Sequence, residues 1–324
     1  MKSKKRILSL IFLLVLLSTS TLAVLKRQII YDWIRLRKYV PSIQIAQLAS
    51  ATTMNDNGKH LFYVNWPTLQ NKSDFNQNCT ESEKSIVLGC FVEHKGIFLL
   101  DVEDERLNGI EEVTAAHEML HAAYARLSGS ERQRINKLTE EAFLGQSNAR
   151  ILKTVEAYRT KDPSIVPNEL HSIIATEVRN IPEELEDYYK TYFTNRSKIV
   201  DLSEKYEQSF ADLEQQAESY KIQLDTLKTE IEVKNKQLEK TALELNTEYQ
   251  DLESRRESTT NPVAFNLQVK NYNTKVALYN AEVQTVSSLI DQYNQLLEKY
   301  NATVLQENEL IKAIDSRPET IQTE

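Results

Sequence analysis

From Phe210 to Val304 the chain repeats apolar and aromatic side chains every seven residues, in two blocks parted by a short break. In the first block Phe210, Ala217, Leu224, Ile231, Leu238, Leu245 and Leu252 fall on one seam, with Leu213, Tyr220 and Leu227 on a second that Lys234 and Thr241 weaken. In the second block Tyr272, Tyr279, Val286, Tyr293 and Tyr300 take one seam, and Val276, Val283, Ile290, Leu297 and Val304 the other. A seven-residue repeat of this length commits the chain to long helices. The intervening Glu257-Ser-Thr-Thr-Asn-Pro262 cannot easily continue a helix, so the two arms are expected to fold back as an antiparallel coiled-coil hairpin. A Tyr in the seam packs its ring while its hydroxyl stays wet. Such a hairpin also offers a surface for a protein partner.

Few turn-forming residues occur in the 324-residue chain, 6 Gly and 7 Pro, which agrees with a helix-rich protein. The formal net charge of −8 and the lack of a Lys/Arg stripe interleaved with aromatics argue against a nucleic-acid partner. At the N-terminus, Lys2, Lys4, Lys5 and Arg6 precede an apolar run from Ile7 to Leu25, just long enough to cross a bilayer as a helix. It reads as an uncleaved anchor, or as a signal peptide cut after Thr21-Leu22-Ala23. Either way the rest of the chain is exported, as an extracytoplasmic domain on a single-pass membrane protein or as a secreted one. Two cysteines, Cys79 and Cys90, fit a disulfide in an oxidising compartment, or two free buried thiols.

The expected organisation is an anchor or signal peptide over 1–25, a basic amphipathic linker over 26–41, an α+β domain over 42–198, the hairpin over 199–315 and a disordered tail over 316–324. In the linker, Gln28–Tyr39 reads as a helix with Ile29, Trp33 and Leu36 on one face and Arg35, Arg37 and Lys38 opposite, lying on the membrane surface or packed on the next domain. Leu61–Asn65, Ser85–Phe91 and Gly96–Val102 are expected to be strands. A helix should open at Asn108, with Glu111 completing a capping box, and close near Leu127-Ser128-Gly129. Ser128 and Glu131 should open the next in the same way, and beyond Pro182 the pattern reads as one long helix.

Within the first of these helices stands His117-Glu118-Met119-Leu120-His121. Residues four apart share a helix face, so both imidazoles can meet one metal ion. Glu118, one position round, can take a proton from water activated by a zinc ion without being a ligand itself. Two surface or core histidines would give the same letters. For a third ligand, Glu177 sits in the apolar setting Ile173, Ile174, Ala175 and Val178, where a carboxylate is costly unless paired or metal-bound. The alternatives are Glu140 and Glu141, in an openly charged stretch, or a Glu177 that pairs with Arg179 or caps the backbone. His171, about 240° round the helix from Glu177, can donate to an oxyanion or act as a structural histidine. Tyr188, Tyr189 and Tyr192 are further oxyanion-donor candidates, while His60 and His94 have no constellation around them.

A strand, a short connection and then an HExxH helix resembles the zincin metallopeptidases, closely over Gly96–Tyr124 and on to about Tyr192. The resemblance implies a small zincin-like domain in which the strand Gly96–Val102 edges the cleft and pairs with an extended peptide. No downstream Gly-x-x-His follows, so the gluzincin pattern with a Glu third ligand is the closer analogy. The expected activity is zinc-dependent hydrolysis of peptide bonds in peptides or proteins: His117, His121 and Glu177 on zinc, Glu118 as base, His171 assisting. The rival is an inactive, membrane-tethered coiled-coil scaffold with a structural zincin-like domain.

Overall fold

The computed structural model describes residues 26–79 and 88–317. The run Ile7–Leu25 lies outside the described residues, and among those described no helix is long and apolar enough to cross a membrane. Two compact units result, residues 26–209 with 311–317, and Phe210–Leu310.

The first unit is mostly helical. Helices α1 (Arg27–Lys38), α2 (Ile43–Ala51) and α3 (Asp56–Val64) lead to strand β1 (Thr68–Gln70), helix α4 (Lys72–Asn78) and strands β2 (Gly89–Val92) and β3 (Gly96–Leu100). Then come α5 (Ile110–Ala125), α6 (Gly129–Leu144), α7 (Ala149–Lys161), α8 (Val166–Glu177) and α9 (Glu183–Tyr189). The sheet order is β1-β3-β2, with β1 parallel to β3 and β2 antiparallel to it. A disulfide joins Cys79, which closes α4, to Cys90 in β2.

Apolar spacing accounts for the core. Ile97 and Leu99 of β3, Met119 and Leu120 of α5, Ile135 of α6 and Ile174 of α8 are fully buried together with Phe62 and Phe193. Burying a side chain of this size contributes about 1.5–3 kcal/mol, so these positions dominate what holds the unit together.

Several expected elements are corrected. Leu61–Asn65 belongs to α3, which Asn55 caps through its side chain, and not to a strand. An apolar run this short carries no period that separates strand from helix. Only Gly89–Phe91 of the expected strand Ser85–Phe91 is seen as strand, since 80–87 lie outside the described residues. Asn108 does not cap α5. The helix starts at Ile110 behind Gly109, and Glu111 accepts the backbone N–H of Val102 at 2.8 Å instead. Gly129 opens α6 rather than closing α5, whereas the Ser128–Glu131 capping box is present. The helical run after Pro182 is interrupted between α9 and the next helix, Ser197–Arg255 (α10).

Gly109 sits at φ 112°, and a Cβ there would lie 2.9 Å from the carbonyl oxygen of Leu202 in α10. Gly109→Ala therefore faces both a backbone penalty and a collision. A loss of about 2 kcal/mol is expected in chemical denaturation, and an unchanged midpoint would contradict it.

In the second unit α10 and α11 (Pro262–Ile314) run antiparallel, because their cross-contacts step in opposite directions. Gln216 meets Thr303, Lys234 pairs with Glu282 at 2.6 Å, and Tyr249 packs on Tyr272. Leu224, Leu245 and Leu252 of the first seam are buried, as are Val286, Thr303 and Leu310. Of the other expected seam, Val276, Leu297 and Val304 are half-buried, whereas Val283 and Ile290 are exposed at 36% and 41% beside half-buried Glu282 and Leu289.

Helix α1 is also placed differently. Arg35 points inward, donating to the carbonyls of Val64, His94 and Lys95 at 2.6, 3.0 and 2.8 Å, with its guanidinium 4.0 Å from the centre of the Trp66 ring. Asp32, also buried, receives Arg126 at 2.8 and 3.0 Å and lies 2.9 Å from His60. Burial pushes the Asp32 carboxyl up, but Arg126, His60 and Gln28 together hold it below its ordinary value.

Candidate metal centre

Helix α5 presents His117 and His121 on one face, one turn apart, with ring centroids 4.7 Å apart. Opposite them α8 brings Glu169. Its Oε2 lies 3.5 Å from His117 Nε2 and its Oε1 3.7 Å from His121 Nε2. One donor atom from each of the three residues fits within 4.8 Å of the others. Ligands on a tetrahedral zinc with bonds of about 2.05 Å lie about 3.4 Å apart, so two imidazoles and a carboxylate at this spacing suit that ion in both chemistry and size.

Glu169, Ser172 and Thr176 recur at helical spacing, on the side of α8 that also bears fully buried Ile173. Ser172 donates to the carbonyl of His117 at 3.2 Å and lies 3.5 Å from His121 Nδ1, steadying the outer side of that ring. Burial would push the Glu169 carboxyl up, but a hydrogen bond with His117, the two nearby imidazoles and the Tyr158 hydroxyl bring it below its ordinary value. Tyr158, on α7, thus holds the carboxylate from behind. Burial first, then the adjacent carboxylates, raise its own pKa, so it remains a hydrogen-bond donor at neutral pH.

Glu118 occupies the space between α5 and β2. The β2–β3 ladder bonds Leu100 N–H to the Leu88 carbonyl, which turns the alternate N–H of Phe91 away from β3. That N–H meets the Glu118 carboxylate. The strand and the helix lie so close that a Cβ on Gly89 would stand 2.6 Å from Thr114 Cγ2 and 2.7 Å from Glu118 Cγ. The other carboxylate oxygen, Oε2, is buried and has no partner. Burial pushes the Glu118 carboxyl up to about 7; His121 and the Phe91 amide oppose the shift and Glu169 adds to it. A buried carboxyl poised there can exchange a proton near neutral pH. The centre meets solvent through His117 and Glu169, whose side chains are 17% and 15% exposed.

The structure thus brings together His117, Glu118 and His121, and replaces the expected Glu177 by Glu169. Glu177, eight residues on, is displaced about 12 Å along the helix and about 80° round it. It is bound by Arg150, which also holds Glu207. Arg179 pairs instead with Asp201 and Glu204. Glu140 pairs with Arg159, and Glu141 is exposed 3.8 Å from Lys137. The salt bridge to Arg150 answers the cost of Glu177's apolar neighbours.

His171, the expected oxyanion donor, is not among the residues that converge with His117 and His121. The residue has no exposed surface. Its Nε2 lies 2.8 Å from Tyr188 Oη, and its ring is surrounded by Tyr124, Tyr188 and Tyr189. Burial, with a smaller contribution from His121 and His117, lowers its pKa to about 3 and keeps it neutral. Tyr189 donates to the His171 carbonyl at 2.7 Å, and the Tyr188 and Tyr192 hydroxyls lie 3.2 Å apart. These four side chains form an interior polar network. The strand β3, expected at the edge of a cleft, is the central strand and is paired on both sides; among the described residues β2 is the edge beside the candidate base.

Compared with protein-family models, with curated proteins and with solved structures, the chain matches none.

Proposed function

We propose that the chain is a membrane-anchored, extracytoplasmic zinc metallopeptidase in which His117, His121 and Glu169 hold the ion. The observation that carries this is the convergence of two imidazoles and one carboxylate within 4.8 Å, beside a buried carboxylate with an unpartnered oxygen. Zinc bound there supplies Lewis acidity toward a scissile carbonyl and lowers the pKa of water. Glu118 takes the proton of the attacking water and delivers it to the departing amine. Phe91 N–H fixes one oxygen of that carboxylate and leaves the other free to carry the proton. Tyr158 and Ser172 hold Glu169 and His121 in place.

The resemblance to zincins over Gly96–Tyr124 supports peptide hydrolysis as the reaction. Export is supported by the apolar run Ile7–Leu25 and by the Cys79–Cys90 bridge, which suits an oxidising compartment. The hairpin is assigned to partner binding, supported by the exposed Ile222, Val233, Leu243 and Leu278 outside its seams. The test is digestion of an unstructured peptide mixture by the purified chain. Cleavage should stop on chelation and return when zinc is restored; cleavage that survives complete removal of metal, or no cleavage of any peptide with zinc present, contradicts the proposal.

A further inference from the structure

Helix α1 turns two of its charged side chains inward. Asp32 and Arg35 are buried, and Asp32 is the one acidic residue of the helix. The opposite side shows Ile29, Ile30, Trp33 and Ile34 to solvent, exposed by 61%, 44%, 57% and 44%. At 100° per residue these four fall within about 140° of one another, an apolar stripe that among its exposed residues also carries Arg37 over Trp33. An ordinary surface helix turns such a stripe toward the core. Here the polar contacts of Asp32 and Arg35 hold the helix down, and the apolar stripe is left without a partner among the described residues.

We propose that this stripe lies in the interfacial layer of an anionic lipid bilayer. Three observations select lipid as the occupant. The apolar run Ile7–Leu25 ends immediately before Lys26, the residue that caps α1, so a chain entering the bilayer through that run leaves it at this helix. Lys26, Arg27, Arg37 and Lys38 are exposed and no acid accompanies them, which suits anionic headgroups. Trp33 lies centrally in the stripe with the Arg37 guanidinium 4.6 Å from its ring centre, an arrangement that suits the boundary between acyl chains and headgroups. The inference rests on the anchor reading of Ile7–Leu25.

It has a consequence for the metal centre. Arg126, which pairs with Asp32, caps α5, the helix that carries His117 and His121. A helix lying on lipid is thereby clamped to the end of the ligand-bearing helix, about 7.5 Å along the axis from His121. The clamp fixes the distance and tilt of the candidate site relative to the membrane, restricting attack to segments of substrate presented at that height.

The test uses the full chain reconstituted into vesicles of phosphatidylcholine and phosphatidylglycerol. Subtracting the emission of Trp33→Phe from that of the parent isolates Trp33 and leaves Trp66 untouched. The expected Trp33 signal is blue-shifted, loses most of its intensity to brominated lipid, and resists iodide. Ile30→Glu/Ile34→Glu should reverse both sensitivities. A chain that fails to float with the vesicles overturns the anchor reading and this proposal with it. A chain that floats while iodide, and not brominated lipid, reaches Trp33 overturns this proposal alone. Protection from both quenchers that disappears on dilution of protein in lipid assigns the stripe to a second copy and equally overturns it.

Discussion

Glu118→Gln is expected to lower peptide turnover about a thousandfold while leaving zinc content unchanged. Glutamine keeps the shape of the side chain and can still meet the tight packing against Thr114 and Gly89, so the helix–strand contact survives. What it loses is the ability to take and return a proton, the one task assigned to this carboxyl. The residue lies outside the donor set of His117, His121 and Glu169, so metal retention separates loss of a base from loss of the site. Steady-state hydrolysis of a quenched fluorogenic peptide, read beside zinc analysis of the same sample, checks both. Activity within a few-fold of the parent would remove Glu118 from the mechanism.

The second large effect distinguishes two glutamates on one helix. Glu169→Ala should release zinc and abolish turnover, because two imidazoles remain where three donors converge. Glu177→Gln should keep both metal and turnover. Its cost falls on stability, about 1 kcal/mol, as Arg150 loses one of two carboxylate partners and keeps Glu207. The contrast is read by metal content and by denaturation midpoints of the two variants. Zinc lost from Glu177→Gln and retained in Glu169→Ala would restore the assignment made from sequence.

Why that assignment differed is instructive. His117, Glu118 and His121 were legible because a helix repeats every 3.6 residues, and five consecutive letters then fix their relative positions. The third member of the candidate donor set stands on another helix, and little in the local sequence determines which carboxylate of α8 faces α5. Apolar neighbours pointed to Glu177, yet Ile173, Ile174 and Ala175 fill the core while Glu177 ends the helix against Arg150. A weaker signal was present in Glu169-x-x-Ser172, which places a carboxylate and a hydroxyl on one face.

The same distinction runs through the fold. The hairpin was legible from its seven-residue seams, since each arm needs only its own period. In α3 and at the start of α5 the letters were locally ambiguous: LFYVN fits a strand or a buried helix, and Asn108 resembles a cap until Gly109 takes a positive φ. In α1 the sequence pattern is amphipathic and places Arg35 on the water-facing side with Arg37 and Lys38. Arg35 instead satisfies the last carbonyl of α3 and two in the β2–β3 turn, a long-range contact that no local pattern announces.

Element analysis of the chain, purified without added chelator and calibrated against its two cysteines' sulfur and three methionines, tests the central claim most directly. One zinc per chain, lost on substituting His117, His121 or Glu169 by Ala, is the predicted result. A parent chain that holds no zinc, even after incubation with the ion, would contradict it.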